Sequence, residues 1–294
     1  MNKLEKPIVL VILGTTASGK SDLAVEVAKK YNGEVISADS RQVYRGLDIG
    51  TGKITKREMR GIPHHLLDVS SPKKVFTVAE YKKLAETKIA EILKRGKLPI
   101  IAGGTGFYIE SVTSNKTLPQ VEPDIALRNK LAKKDVEDLF NTLTKLDPRR
   151  AEDIKSKNEL NNKLRLIRAI EIAKVMGKIP PVKVEPSQYE FIKVGILVSD
   201  NILKKRIKAR VKKMFHQGLL KEIGRLKKSG VTQKRLAQFG FEYNNPTVES
   251  VITESIKYSK RQKTWFKRDP EIVWLPTTKI SSFLRKKIPL VKRK

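Results

Sequence analysis

Hydrophobic and polar positions alternate between two textures along the chain. Residues 7–13, PIVLVIL, form a continuous apolar run rich in β-branched side chains, the pattern of a strand covered on both faces of a parallel sheet. A helical pattern from Lys20 to Lys30 follows, and EVISAD (34–39) is a second short strand. Thr77 and Glu80 are spaced as a capping box, from which AEYKKLAETKIAEILKR runs amphipathically to Gly96 at the helix end. LPIIAGG (98–104) is the next strand. Strands alternating with helices predict βαβ units and therefore an α/β fold, a parallel sheet with helices on both faces.

Beyond LPIIAGGTGFYIESV the pattern changes, and residues 118–184 carry helical periodicity with no convincing strand. Asp147 before Pro148 starts one helix, and ELNNKLRLIRAIEIAKVMG (159–177) reads as a long helix closed by Gly177. KIPPVKVEPSQ (178–188) reads as a linker, and EFIKVGILVSD (190–200) returns to strand character, with Asp200 expected to cap the basic helix NILKKRIKARVKKMF. Helices are predicted at Leu219–Lys228 and Thr247–Lys267, EIVWL (271–275) as a final strand, and RKKIPLVKRK as a basic tail that is either unstructured or phosphate-binding. The expected organisation is a core built from residues 1–117 and 187–294, interrupted by an inserted all-helical subdomain at 118–186.

Charge narrows the choice of partner. Sixty-two Lys and Arg against 31 Asp and Glu leave +31, an excess that repels itself unless a polyanion neutralises it. Nucleic acid is the partner that rewards such neutralisation through counterion release; a lysine-rich proteome or an anionic membrane surface are the alternatives. The absence of cysteine excludes disulfides, thiolate metal sites and a thiol nucleophile. The apolar run near the start is too short to span a bilayer, so the expectation is a cytoplasmic protein with no membrane association, and nothing in the sequence requires more than a monomer.

Against that background three clusters can carry chemistry. Gly14, Thr15, Thr16, Ala17, Ser18, Gly19, Lys20 and Ser21 match G-x-x-x-x-G-K-S between a buried strand and a helix. Successive amides and the helix amino end point at an anion, Lys20 reaches terminal phosphate oxygens, and Ser21 offers its hydroxyl to Mg2+. Such a loop binds a diphosphate or a triphosphate such as ATP. Asp39 and Ser40 fall at the carboxyl end of the second strand, where a carboxylate can accept a proton or hold a metal-bound water; a turn residue is the plainer reading. AGGTG ends the third strand in Gly103, Gly104 and Thr105, where many ATPases place an acid; the Thr105 hydroxyl can donate to a phosphate oxygen. Arg206 and Arg210 share one face of the basic helix, and Lys163, Arg165 and Arg168 lie on the inserted helix. His64 and His65 point to opposite sides of an extended segment and have no third ligand nearby, which argues against a metal. Trp265 and Phe266 read as core or interface aromatics. A kinase, an ATPase or GTPase, an enzyme whose phosphate is only a leaving group, and a nucleic-acid-binding switch that holds nucleotide without group transfer all remain open on these residues alone.

Taken in order, GTTASGKS, ISADSRQVY, LDIGTGK, GIPHHLLDV, FTVAEY, PIIAGGTGFY, RLIRAIE and KRQKTWFKR resemble the tRNA dimethylallyltransferases, also called tRNA isopentenyltransferases, from residue 14 to about residue 268. The resemblance implies a P-loop, nucleotide-kinase-like core with a helical insertion that grips the anticodon stem-loop. It implies transfer of a dimethylallyl group from dimethylallyl diphosphate to N6 of the adenosine 3′-adjacent to the anticodon. On this likeness Asp39 is the general base, Thr105 and Arg210 hold the diphosphate, and Thr16 to Ser21 bind the donor. Asp39, Ser40, Arg41, Gln42 and Thr105 touch the tRNA, as do Arg128, Leu164, Arg165, Leu166, Ile167 and Arg168. Thr15 stands where the family usually has proline, Leu164 where a polar residue is commoner, and Glu242 where a basic residue is commoner.

Overall fold

The structure is a computed structural model describing residues 6–114, 119, 121–179 and 185–289. Its sheet comprises β1 (Ile8–Leu13), β2 (Gly33–Ala38), β3 (His64–His65), β4 (Leu98–Gly103), β5 (Glu190–Ile196) and β6 (Val273–Leu275), in the order β3-β2-β4-β1-β5-β6. Every pairing is parallel. The helices are α1 (Lys20–Lys30), α2 (Lys56–Met59), α3 (Val78–Lys94), α4 (Gly106–Thr113), α5 (Ile125–Leu131), α6 (Val136–Leu146), α7 (Pro148–Ser156), α8 (Lys163–Met176), α9 (Asp200–His216), α10 (Leu219–Lys228), α11 (Gln233–Phe239), α12 (Val248–Phe266) and α13 (Thr277–Lys287). None of these is long and apolar enough to cross a membrane.

The chain divides into two compact units, Met1–Asn115 with Pro186–Lys294, and Lys116–Glu185. In the first, the two-residue period of β1 explains the layering. Val9, Val11 and Leu13 face a core completed by α3, α4, α10 and α11, whereas Leu10 and Ile12 face α1 and α13. Burying each such aliphatic side chain stabilises the fold by about 1.5–3 kcal/mol. The second unit has its own core, in which Leu139 and Leu143 of α6 and Ile154 of α7 meet Leu166, Ile167 and Ile170 of α8.

Register places the chemistry. Leu13 pairs with Gly103, Gly103 with Ala38, and Leu13 with Gly195, so the loops after β1, β2 and β4 leave the sheet along one edge. Gly103 is required there, because a Cβ on it would lie 2.1 Å from the Ala38 carbonyl oxygen.

Several boundaries differ from the sequence expectation. Ser199, not Asp200, precedes α9 as its N-cap, and Asp200 instead pairs with Lys263 of α12 at 2.6 Å, tying the two helices together. The long helix expected over 159–177 starts at Lys163, because the Asn162 side chain accepts from the Arg165 N–H and caps it there. Helix α13 was not expected; its Ile280 and Leu284 pack under the sheet, and Arg285, Lys286 and Lys287 of the basic tail form its last turn. The rest of that tail from residue 290, and linker residues 180–184, lie outside the described residues. Short helix α11 was also missed, although Thr232 caps it and Leu236 and Phe239 anchor it.

Residue Glu34 of β2, 3 % exposed, receives His65 Nε2 at 2.7 Å, Arg95 Nη2 at 2.7 Å and Lys97 Nζ at 2.8 Å. Burial pushes this carboxyl up, but the hydrogen bonds from Lys97, His65 and Arg95 outweigh it and hold the pKa at about 2. A depressed carboxyl pKa contributes stability that is present above the unfolded value near 4.5 and lost as pH falls through 2. In denaturant titrations, Glu34→Gln is therefore expected to be less stable than the parent at pH 6, with the gap closing by about 3 kcal/mol by pH 2. A gap independent of pH would contradict this role.

Candidate active site

The loop after β1 is built for an anion. Gly19 takes φ 96°, a left-handed conformation suited to glycine, and opens α1. The Thr15 carbonyl accepts from Ser18 N–H at 3.3 Å and from Lys20 Nζ at 2.7 Å. Backbone N–H groups of Ala17, Gly19, Lys20 and Ser21 find no acceptor among the described residues, leaving four donors at the amino end of a helix. Opposite stands α9, whose Arg206 and Arg210 share a face as their spacing predicts. Arg206 Nη1 donates to the Ser18 carbonyl at 3.2 Å and Arg210 Nη2 to the Thr51 carbonyl at 2.8 Å.

A cleft opens beside this loop, lined by Thr16, Lys20, Asp39, Arg210, Tyr258 and Gln262 among others. A second cavity, on the side of Asp22 and Arg206, shares Lys20, Ser21, Gly52 and Arg210 with it. These shared cations stand between two entrances. Burial first, and then the charge of Arg210, push the Lys20 ammonium down to about 8, with Asp39 opposing. Lys20 is therefore charged at neutral pH but held at a cost, and an incoming anion relieves it.

On the far wall, Asp39 Oδ1 accepts the Arg41 N–H at 2.9 Å and the Gln42 N–H at 3.3 Å, which fixes the carboxylate by its own turn. Oδ2 accepts no hydrogen bond among the described residues. Arg41 is clasped by Glu242 at 2.5 Å, and its guanidinium stacks over Phe241 and Tyr258 at 5.3 and 5.5 Å. Glu242 thus uses its charge to hold Arg41 in the cleft wall. Gln42 donates to the Thr51 and Gly52 carbonyls at 3.4 Å.

Thr105 has a partner that its sequence position did not reveal: its hydroxyl accepts the Ser40 N–H at 3.0 Å and lies 3.3 Å from Ser40 Oγ. Its contact is with the turn after β2, because the registers of β2 and β4 bring those two ends together.

The helical unit also departs from what was expected of its binding residues. Leu166 and Ile167, 0 % and 4 % exposed, are core side chains and present no surface to a partner, because the 3.6-residue period turns them inward with Ile170. Leu164 is 79 % exposed. Arg128 and Arg168 both pair with Glu171, which is 1 % exposed; Arg128 does so by two bonds of 2.8 Å, and Arg168 also donates to the Val121 carbonyl. Arg165 pairs with Glu159. These arginines hold the unit together, so binding can draw only on whatever capacity their exposed edges retain.

Other site residues escaped sequence reasoning. Gln262 of α12 accepts the Thr16 N–H at 2.8 Å and donates to the Gly104 carbonyl at 2.8 Å. Glu222 of α10 accepts from the backbones of Asp48, Ile49 and Gly50 and from the Tyr243 hydroxyl, and so anchors the loop that carries Thr51 and Gly52. A signal was available, since both are polar residues at inward positions. Val251, Ser255, Ser259, Gln262 and Phe266 share the buried face of α12, and Glu222 sits between Leu219 and Leu226.

Comparison with known proteins identifies the family. The family model described as IPP transferase matches residues 42–269. The chain is 41% identical over 288 residues to a tRNA dimethylallyltransferase of Acetivibrio thermocellus, covering 91% of each chain. It is 38% identical to one of Bacillus cytotoxicus, covering 95% of this chain and 93% of that one. Among solved structures, the full-length tRNA isopentenylpyrophosphate transferase of Bacillus halodurans superposes with TM-score 0.70 at 35% identity, covering 96% of this chain and 97% of that one. A eukaryotic dimethylallyltransferase acting on tRNA superposes with TM-score 0.73 at 26% identity, over 95% of this chain and 76% of that one. A phosphate loop, a fixed carboxylate facing it and these matches over nearly the whole chain together establish that the protein belongs to the tRNA dimethylallyltransferase, or IPP transferase, family.

Proposed function

We propose that the protein transfers a dimethylallyl group from dimethylallyl diphosphate to N6 of the adenosine 3′-adjacent to the anticodon in tRNA. The observation that carries this reading is the arrangement of one cleft, with the Asp39 carboxylate on one wall and the donor-rich loop, Lys20 and Arg210 on the other. The strand end after β4 is Gly103-Gly104-Thr105 with no acid, which suits a departing diphosphate better than phosphoryl transfer. Kinship with tRNA prenyl transferases weighs the same way against a small-molecule kinase.

In the reaction the allylic C–O bond breaks and the N6–C bond forms. The N6 proton passes to Asp39 Oδ2, and the bonding electrons leave with the diphosphate. Negative charge growing on that diphosphate is met by the N–H groups of Ala17, Gly19, Lys20 and Ser21, by the Lys20 ammonium and by Arg210. Lys20 exchanges its bond to the Thr15 carbonyl for a phosphate oxygen. Fixed donors aimed at developing charge need no reorganisation when the bond breaks, and each is worth about 3 kcal/mol. Thr105, whose hydroxyl oxygen holds the Ser40 amide beside Asp39, donates its O–H to a diphosphate oxygen.

The residues present fit Mg2+ as a cation carried by the diphosphate. Among the described residues no group of three His, Cys, Asp or Glu side chains is placed to cage a metal, while the exposed Ser21 hydroxyl opens the helix at the anion site. Ser21 would be the protein ligand, and the ion would supply further charge neutralisation to the leaving group. The anticodon stem would be held by its phosphates through Lys163 and the exposed edges of Arg165 and Arg168, with the adenine unstacked beside Asp39.

Incubating the protein with unmodified tRNA and radiolabelled dimethylallyl diphosphate in Mg2+ tests this reading. The expected result is label at N6 of the adenosine next to the anticodon, located by nuclease digestion. Phosphoryl transfer from labelled ATP to a small acceptor, with no label on tRNA, would overturn it.

A further inference from the structure

Two loops that must hold their relative position for the reaction, GTTASGKS after β1 and AGGTG after β4, are joined by one side chain from a third element. We propose that Gln262 is a positioning residue that sets the diphosphate loop in its anion-binding form. The proposal rests on the transferase reading above for its substrate but on separate observations for its mechanism.

Gln262 is 6 % exposed and projects from α12 into the cleft wall. Its carbonyl oxygen accepts the Thr16 N–H, 246 residues away, at 2.8 Å, and its amide N–H donates to the Gly104 carbonyl, 158 residues away, at 2.8 Å. A primary amide is the neutral side chain that accepts at one end and donates at the other across a fixed plane, so one residue clamps both loops. The fit is tight, since a Cβ on Gly104 would lie 2.4 Å from the Gln262 nitrogen.

The consequence concerns which loop donors face the anion. Thr16 N–H is consumed by Gln262, whereas the N–H groups of Ala17, Gly19, Lys20 and Ser21 have no acceptor among the described residues. Turning the first amide toward α12 leaves the following ones directed at the ligand. Without the clamp, the loop must order itself as the diphosphate binds, and affinity falls by that ordering cost. Because α12 also packs against α9, which carries Arg210, the same residue keeps the loop in register with the cation across from it.

The test compares Gln262→Leu and Gln262→Glu with the parent, using calorimetric titration with inorganic diphosphate in Mg2+ and steady-state transfer. For Q262L the dissociation constant of diphosphate and the KM for dimethylallyl diphosphate are expected to rise about 10-fold or more, while the KM for tRNA stays within about twofold. Q262E keeps an oxygen that can accept from Thr16 but, ionised at pH 7.5, has no N–H for the Gly104 carbonyl and sets a carboxylate against it, so its diphosphate affinity is also expected to fall about 10-fold or more. A folded Q262L with unchanged diphosphate affinity overturns the proposal, as does an equal rise in the donor and tRNA constants. Should Q262L fail to fold, a Q262E variant that binds diphosphate as tightly as the parent overturns it alone. If the parent binds diphosphate and the variants lose it, but no prenyl transfer occurs, the positioning role stands and the transferase reading falls.

Discussion

Asp39→Asn is expected to slow single-turnover prenyl transfer by about 10³-fold while tRNA binding stays within about twofold of the parent. The asparagine keeps an oxygen where Oδ1 accepts the Arg41 and Gln42 amides, so the turn survives and only the acceptor for the N6 proton is lost. Asp39→Ala removes the turn anchor as well, and is expected to weaken tRNA binding in addition to transfer. The carboxylate also opposes anions in the shared cleft, so Asp39→Asn is expected to bind inorganic diphosphate more tightly than the parent, even as transfer collapses. Transfer by Asp39→Asn within tenfold of the parent would remove Asp39 from the proton-accepting role.

For Arg210→Ala, kcat is expected to fall by about 10²- to 10³-fold, with weaker inhibition by product diphosphate. One guanidinium nitrogen is anchored to the Thr51 carbonyl at 2.8 Å, and the side chain lines both cavities that meet at Lys20. Loss of this charge leaves Lys20 to face the leaving group with the loop amides only. Arg210→Lys restores charge but not the fork that grips Thr51 and a phosphate oxygen at once, so partial recovery is expected. A kcat within threefold of the parent in Arg210→Ala, measured with saturating donor, would show that the leaving group is stabilised elsewhere.

Features that depend on neighbouring residues were legible before the structure. PIVLVIL, the loop and α1 from Lys20 to Lys30 follow from β-branched apolar residues, a glycine-permitted turn and helical periodicity, all read within a few residues. The same holds for the Thr77–Glu80 capping box and the Asp147–Pro148 helix start. Asp200 was misplaced by one residue because Ser199 and Asp200 are both good caps, and only the partner across the interhelical gap, Lys263, decided between them. Helix α13 was missed because a stretch rich in Lys, Ser and Thr gains its helical state from two apolar residues that find the sheet.

The sequence alone determined the sheet-and-helix grammar, the anion loop, the candidate carboxylate and an excess of positive charge suited to a polyanion, because each is encoded by residue type at short spacing. Tertiary structure decided which polar groups work together. It set Gln262 across two loops, Glu222 beneath a third and Glu242 against Arg41; it turned Thr105 to Ser40 and put Arg128 on Glu171. These partners lie tens to hundreds of residues apart, and a buried donor takes whichever acceptor the fold brings within about 3 Å, so local pattern carries no record of the choice.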